Sequence, residues 1–224
     1  MTIRHGLKNI ELNPWGLNLL NHVKSQVIDK EWYKDINLTC RGQMDEIEKW
    51  TGVKKLHELI DEGTRHDGFP EVICAHSFGA ENLNYVRGNR GDEITRGIGN
   101  LQQLVAGKLM LRKNALFAVY PPGGYISWHN NANASAYNFI FTWSESGQGW
   151  FKYWDIEKQE MVVFKDKPGW QCKAGYFGSY QDPHHTLCYH AARTDCLRMT
   201  VAFTLTKDEM GIQLQDQIIE EISA

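Results

Sequence analysis

The sequence predicts a mainly β protein with flanking helices, of the α+β class, on three observations. From about residue 109, short alternating or aromatic runs recur at strand-and-turn spacing, separated by Gly, Pro, Asn and Asp. Helical periodicity dominates before that point and returns in the tail KDEMGIQLQDQIIEEIS. A chain of 224 residues suits one well-buried core, and no repeat, low-complexity tract or Pro- or Ser-rich linker marks a boundary. We therefore expect a single domain over 1–224. It comprises a mostly helical scaffold at 1–108, a β core at 109–206 built as a sandwich, barrel or jelly roll, and a C-terminal helix at 207–224.

Asn13-Pro14 starts the first helix, because Asn accepts from free N–H groups and Pro tolerates a position whose N–H needs no partner. Leu17, Leu20, Val23 and Val27 make its apolar face. MDEIEKW (44–50) and VKKLHELIDEG (53–63) predict a short helix and a longer one ended by Gly63, and PEVICAHSF (70–78) a short strand. GNRGD (88–92) reads as a loop from which Asp92 caps the helix ITRGIGNLQQLVAG. Gly97-Ile98-Gly99 lacks the third glycine and the leading strand of a nucleotide-binding loop. The strand candidates are LMLRKNALFAVY, YISWH, YNFIFTW, GWFKYWD, EMVVF, WQCKAGYF, TLCYHAA and CLRMTVAFTL. In the tail, Met210, Leu214, Ile218 and Ile222 share a helical face that packs on the sheet or on a second copy of the chain, the route to a homodimer.

A net charge of −3 with scattered Lys and Arg gives no basic stripe and hence no strong nucleic-acid signature. Five cysteines without a Cys-x-x-Cys pair argue for a reducing compartment and a cytoplasmic location. No run approaches the roughly 18 apolar residues of a membrane span. Aromatic side chains are plentiful, and Trp128, Trp143, Trp150 and Tyr153 are candidates either for core packing or for stacking on a substrate.

The chemistry-bearing stretch is AVYPPGGYISWHNNANASAYNFIFTW (118–143), with His129 at a strand end. Side chains two apart share a face of a strand, which groups Tyr125, Ser127, His129 and Asn131, and, in the last strand, Arg198, Thr200, Ala202 and Thr204. An inward guanidinium beside a hydroxyl requires an anion, because an unpaired buried charge is costly. That anion is either a ligand carboxylate, matched by the forked donors of Arg, or a protein Asp or Glu.

The order of motifs resembles that of the Fe(II)- and 2-oxoglutarate-dependent dioxygenases. Tyr120-Pro121-Pro122-Gly123-Gly124 is similar to the segment leading to that family's first metal histidine. Ser146-Gly147-Gln148-Gly149-Trp150-Phe151 is similar to its Gly-rich turn and strand, and Asp166-Lys167-Pro168-Gly169-Trp170 to the approach to its distal strands. In texture the chain most resembles members encoded by marine bacteriophages, which would place it in a host cytoplasm. The resemblance implies a double-stranded β-helix, Fe(II) as metal, and 2-oxoglutarate as co-substrate. It further implies hydroxylation of an unidentified substrate with release of succinate and CO2. His129 would be the first iron ligand, Arg198 the partner of the distal carboxylate and Thr200 its helper, with Tyr120 or Tyr125 donating a further hydrogen bond. His184, His185 and His190 are all available as the distal ligand. His190 is preferred because it directly precedes the connection to the arginine strand, with His185 second.

This chain departs from the family at Asn131, which stands where an acidic third ligand is expected, and no Asp or Glu occurs between His129 and Glu145. Three outcomes follow: Asn131 binds iron through its neutral carbonyl, water or an anion fills the position, or the fold keeps only a binding role. A halide there would imply halogenation, although Asn is larger than the Ala or Gly of such enzymes. A rival reading takes His184, His185, Cys188, His190 and Cys196 as a zinc cluster, but alternation separates His185 from the rest.

Overall fold

A computed structural model describes residues 3, 6–32, 44–62, 65–66, 69–70, 81–83, 91–111, 113–131, 134–179 and 181–224. In chain order the elements are β1 (Leu7–Ile10), α1 (Pro14–Lys24), α2 (Met44–Thr51), α3 (Val53–Glu62), β2 (Arg65–His66), β3 (Phe69–Pro70), β4 (Glu81–Asn82) and α4 (Gly91–Leu109). The series continues with β5 (Lys113–Tyr120), β6 (Tyr125–His129), β7 (Ala136–Ser144), β8 (Gly149–Asp155), β9 (Glu160–Lys165), β10 (Gly169–Phe177), β11 (Tyr189–Thr194), β12 (Arg198–Leu205) and α5 (Glu209–Ile222). The α+β class predicted from periodicity is the class observed.

Two antiparallel sheets carry the core. The larger has the order β1-β10-β7-β12-β5-β4 and the smaller β6-β11-β8-β9, so successive strands from β5 to β8 alternate between sheets. Alternation along each strand then decides where side chains go. In the larger sheet Phe117, Val119, Phe139, Phe141, Met199, Val201 and Phe203 face outward into an apolar cluster with Leu20 and Val23 of α1, Ile98 and Leu101 of α4, and Ile218 and Ile222 of α5. The smaller sheet turns Trp128, Tyr189 and Ala191 outward against Leu56 and Leu59 of α3. Between the sheets a third cluster contains Leu7, Ile140, Phe151, Tyr153, Phe177, Ala192 and Ala202. Helices therefore cover both outer faces, and the facing inner surfaces are free to build a cavity.

Several expectations change in detail. Asn13 caps α1 as predicted, its side chain accepting from the Gly16 N–H at 2.8 Å. By contrast Asp92 lies within the first turn of α4 rather than at its cap, where its charge still favours the helix N-terminus. Gly97, set aside as a nucleotide motif, lies mid-helix against the indole of Trp32; a Cβ there would come within 2.2 Å of that ring. Met210 is 65% exposed, and Gly211 and Gln215 take the buried face of α5 alongside Ile218 and Ile222. That helix packs on the larger sheet of its own chain. Strand β1, which the sequence did not suggest, extends the larger sheet by pairing with β10, and the pairing is close at Gly175, where a Cβ would lie 2.1 Å from the Gly6 carbonyl oxygen. The predicted strand 70–78 lies almost wholly outside the described residues, as do Gly63, Cys40 and Cys74. No helix among the described residues is long and apolar enough to cross a membrane.

Candidate functional site

The cavity between the sheets measures about 180 Å³ and has a lining that mixes polar and apolar side chains. His129, His190, Asn131 and Asn138 line one part, Leu116, Ile126, Ile140, Phe151 and Phe177 the walls, and Arg198, Thr200 and Tyr120 another part.

The histidines owe their meeting to an irregularity in β6. His190 pairs with His129 and Ala192 with Ile126, so three steps on β6 oppose two on β11. The extra residue is a β-bulge, which reverses the alternation after Ile126. Ile126 and His129 both face the cavity, while Trp128 turns to the outer face, where its indole N–H donates to the Gly52 carbonyl at 2.9 Å. The same bulge separates Tyr125 from His129. Tyr125 is buried beside Arg193 of β11 and does not line the cavity, contrary to unbroken alternation from Tyr125 to Asn131.

His129 and His190 lie with ring centroids 4.0 Å apart, and Phe177 and Phe151 pack on His190 at 4.7 and 5.6 Å. Each imidazole has its Nδ1 next to the backbone carbonyl two residues earlier, Ser127 at 2.8 Å and Cys188 at 2.9 Å. A carbonyl only accepts, so both Nδ1 atoms carry the hydrogen and donate, and in each neutral ring Nε2 is then the nitrogen that holds the lone pair. Burial disfavours the imidazolium of His129 and lowers its pKa below the ordinary histidine value, against hydrogen bonds with the backbone of Ser127 and His190 that raise it. Burial and then the neighbouring His129 push His190 further down, well below that value. Two neutral rings with unprotonated Nε2 atoms, fixed from behind by backbone acceptors, are the state in which imidazole binds a metal ion. Asn131 lines the same cavity, and no group of three or more His, Cys, Asp or Glu that could hold a metal occurs among the described residues.

That last observation removes the zinc cluster as predicted. Cys196 approaches the hydroxyls of Ser144 and Thr194 at 3.3 and 3.5 Å, away from the histidines. His185 is exposed on the 3-10 turn His184–Thr186 and lines a separate cavity near β1, whereas the side chain of His184 lies outside the described part of the structure. Of the three candidate distal histidines, His190 is the one beside His129.

Arg198 is 1% exposed, and the protein supplies it with an anion. Its Nε donates to Asp166 Oδ2 at 2.9 Å and its Nη1 to the Thr200 hydroxyl at 2.7 Å. The guanidinium also lies 5.1 Å from the Tyr120 ring centroid. Burial raises the Tyr120 pKa, opposed by Arg198 and by hydrogen bonds with Thr200 and Arg198, so the phenol stays protonated at neutral pH. The carboxylate expected opposite Arg198 is thus at least partly an internal one. Arg198 Nη2, however, is buried without a hydrogen-bond partner among the described residues, as are Asp166 Oδ1 and Lys173 Nζ, which lie 4.0 Å apart.

Asp166 and Lys173 are the residues that sequence reasoning missed. Asp166 opens a segment read for its Pro and Gly, and a lone Lys between Cys172 and Ala174 has the pattern of a solvent-facing strand position. Only the presence of the second sheet makes that face interior.

No family model matches the sequence, and no match was found among curated proteins. Among solved structures the chain is similar to a Pseudomonas putida prolyl-4-hydroxylase, at a TM-score of 0.42 and 10% identity over 91% of this chain and 94% of that one. It is also similar to the capsular polysaccharide assembling protein CapF of Staphylococcus aureus, at TM-scores of 0.24 and 0.22 in two crystal structures, with 13% and 11% identity and 55% and 52% of those chains covered. Superpositions this loose assign neither an activity nor a ligand.

Proposed function

We propose that the protein is an Fe(II)- and 2-oxoglutarate-dependent oxygenase built on a double-stranded β-helix, in which His129 and His190 hold the metal and Arg198 and Thr200 hold the far carboxylate of 2-oxoglutarate. One observation carries this reading: two neighbouring histidines whose Nδ1 atoms are anchored on backbone carbonyls, and a buried arginine whose Nη2 has no partner among the described residues, line one cavity. The strand orders β10-β7-β12-β5 and β6-β11-β8-β9 support the β-helix.

The donor set fits a metal ion held together with an anionic ligand better than a metal alone. Two imidazoles and the Asn131 carbonyl are neutral and leave a divalent charge uncompensated, which a bound 2-oxo acid offsets. Iron(II), when bound, supplies the redox chemistry that couples oxygen to oxidative decarboxylation of 2-oxoglutarate, with release of succinate and CO2, and to hydroxylation of a substrate C–H bond. The chain's own part is orientation and exclusion of water. Ser127 and Cys188 carbonyls fix the imidazoles, Arg198 and Thr200 set the direction of the co-substrate, and Leu116, Ile140, Phe151 and Phe177 keep the middle of the cavity dry.

A second reading, a jelly-roll binding protein without metal chemistry, is favoured by the missing acidic ligand and by the Asp166 partner of Arg198. Succinate release from 2-oxoglutarate by the iron-reconstituted protein separates the two. Turnover establishes the oxygenase, and its absence in protein that binds 2-oxoglutarate but no iron establishes the binding module.

A further inference from the structure

We infer that Lys173 sets the charge at the arginine end of the cavity, so that Arg198, Lys173 and Asp166 form a subsite with one uncompensated positive charge that takes a single carboxylate end-group. Calling that carboxylate 2-oxoglutarate's rests on the reading above; the charge of the subsite does not.

Arg198 and Lys173 are buried to 1% and 0% exposure, and the Asp166 side chain is also fully buried. Asp166 engages Arg198 through one oxygen, and its other oxygen lies 4.0 Å from Lys173 Nζ, beyond hydrogen-bond reach. Two cations therefore share one anion. The neighbouring Phe164 ring, 5.8 Å from Lys173 Nζ, carries no charge, and among the described residues Asp166 is the one acid paired with Lys173.

Hydrogen bonding is incomplete in the same sense. Among the described residues Lys173 Nζ, Arg198 Nη2 and Thr142 Oγ1 are buried without a hydrogen-bond partner, and Thr142 is the register partner of Thr200 on the strand between β10 and β12. Water can satisfy such donors but brings no charge, whereas a carboxylate supplies both acceptors and the missing negative charge. Arg198 lines the cavity and touches the ligand, while Lys173, on β10 behind it, acts through Asp166 and Arg198 as a positioning residue. Burial, then Arg198, lowers the Lys173 pKa to about 8, so the ammonium persists at neutral pH.

The test is calorimetric titration of metal-free protein with glutarate and with its uncharged diamide, glutaramide. Wild type should bind glutarate at least tenfold more tightly than glutaramide. Lys173→Met should lose at least tenfold in glutarate affinity without changing glutaramide binding, and Asp166→Asn, which raises the net charge, should bind glutarate more tightly. A residue that merely props Arg198 would weaken binding in both variants. Thermal melts confirm folding, and should Lys173→Met fail to fold, the wild-type comparison and Asp166→Asn still decide. Equal binding of the two ligands, no glutarate binding at millimolar concentration, unchanged affinity in Lys173→Met or weaker affinity in Asp166→Asn would each overturn the inference. Lys173-dependent glutarate binding without succinate release from 2-oxoglutarate would leave it standing and remove the oxygenase reading; turnover with glutarate binding unchanged in Lys173→Met would do the reverse.

Discussion

Replacing Lys173 with Met keeps an unbranched chain in the core and removes the ammonium, and the consequence for stability has a definite pH signature. The folded-state pKa is lowered from 10.5 to about 8 by burial and by Arg198, against the attraction of Asp166. A lowered lysine pKa destabilises the fold while the group is charged. The penalty is present in full below about pH 8 and is relieved as pH rises toward 10.5, because over that window the unfolded chain binds more protons than the folded one. The shift corresponds to about 3 kcal/mol. Other groups titrate in the same window, among them Tyr120, raised by burial, and Lys152, lowered by it, so the wild-type profile alone is not decisive. The difference between wild type and Lys173→Met isolates one side chain. Urea unfolding followed by tryptophan fluorescence from pH 7 to 11 should show wild type gaining about 3 kcal/mol relative to the variant, with most of the gain above pH 8. A difference that stays flat with pH would mean that the lysine is hydrated or fully paired, and would refute the account of a buried, under-compensated charge.

Three other outcomes are expected. Asn131→Asp adds the missing anionic oxygen beside His129 and His190 and should raise iron(II) affinity on the order of tenfold, the factor that about 1.4 kcal/mol represents, as read by metal competition. Trp128→Phe removes the hydrogen bond to the Gly52 carbonyl and should cost about 1–2 kcal/mol in urea unfolding while leaving carboxylate binding unchanged, since the indole faces away from the cavity. Gly175→Ala drives a Cβ into the Gly6 carbonyl and should lower stability by about 2–3 kcal/mol while speeding proteolysis of the N-terminal segment, as β1 is pushed from the sheet edge.

The class of fold was legible because hydrophobic period changes sharply near residue 109, and because turn residues punctuate the strands from there onward. Alternation put Arg198 and Thr200 on one inward face, and the order of motifs singled out His190. The cavity brings them together with His129, although the third-ligand position remains without an acid among the described residues. Tyr125 was misplaced by a single inserted residue: a bulge flips every side chain beyond it, and nothing in YISWH announces one. Asp166 and Lys173 were missed for a different reason. A strand sequence tells which residues share a face, but not which face the second sheet covers, so nothing in WQCKAGYF marks Lys173 as an interior residue. Met210 was misassigned at the start of α5 because Gly211, which a Cβ would press within 1.7 Å of the Thr206 carbonyl oxygen, occupies the buried position.

The most direct test of the central claim is the visible absorption of protein mixed anaerobically with iron(II) and 2-oxoglutarate. A metal-to-ligand charge-transfer band that needs both components, and that disappears in His190→Ala and weakens in Arg198→Met, is the predicted result. No band, with no iron retained by elemental analysis after reconstitution, would contradict the claim that this cavity is a metal and 2-oxoglutarate site.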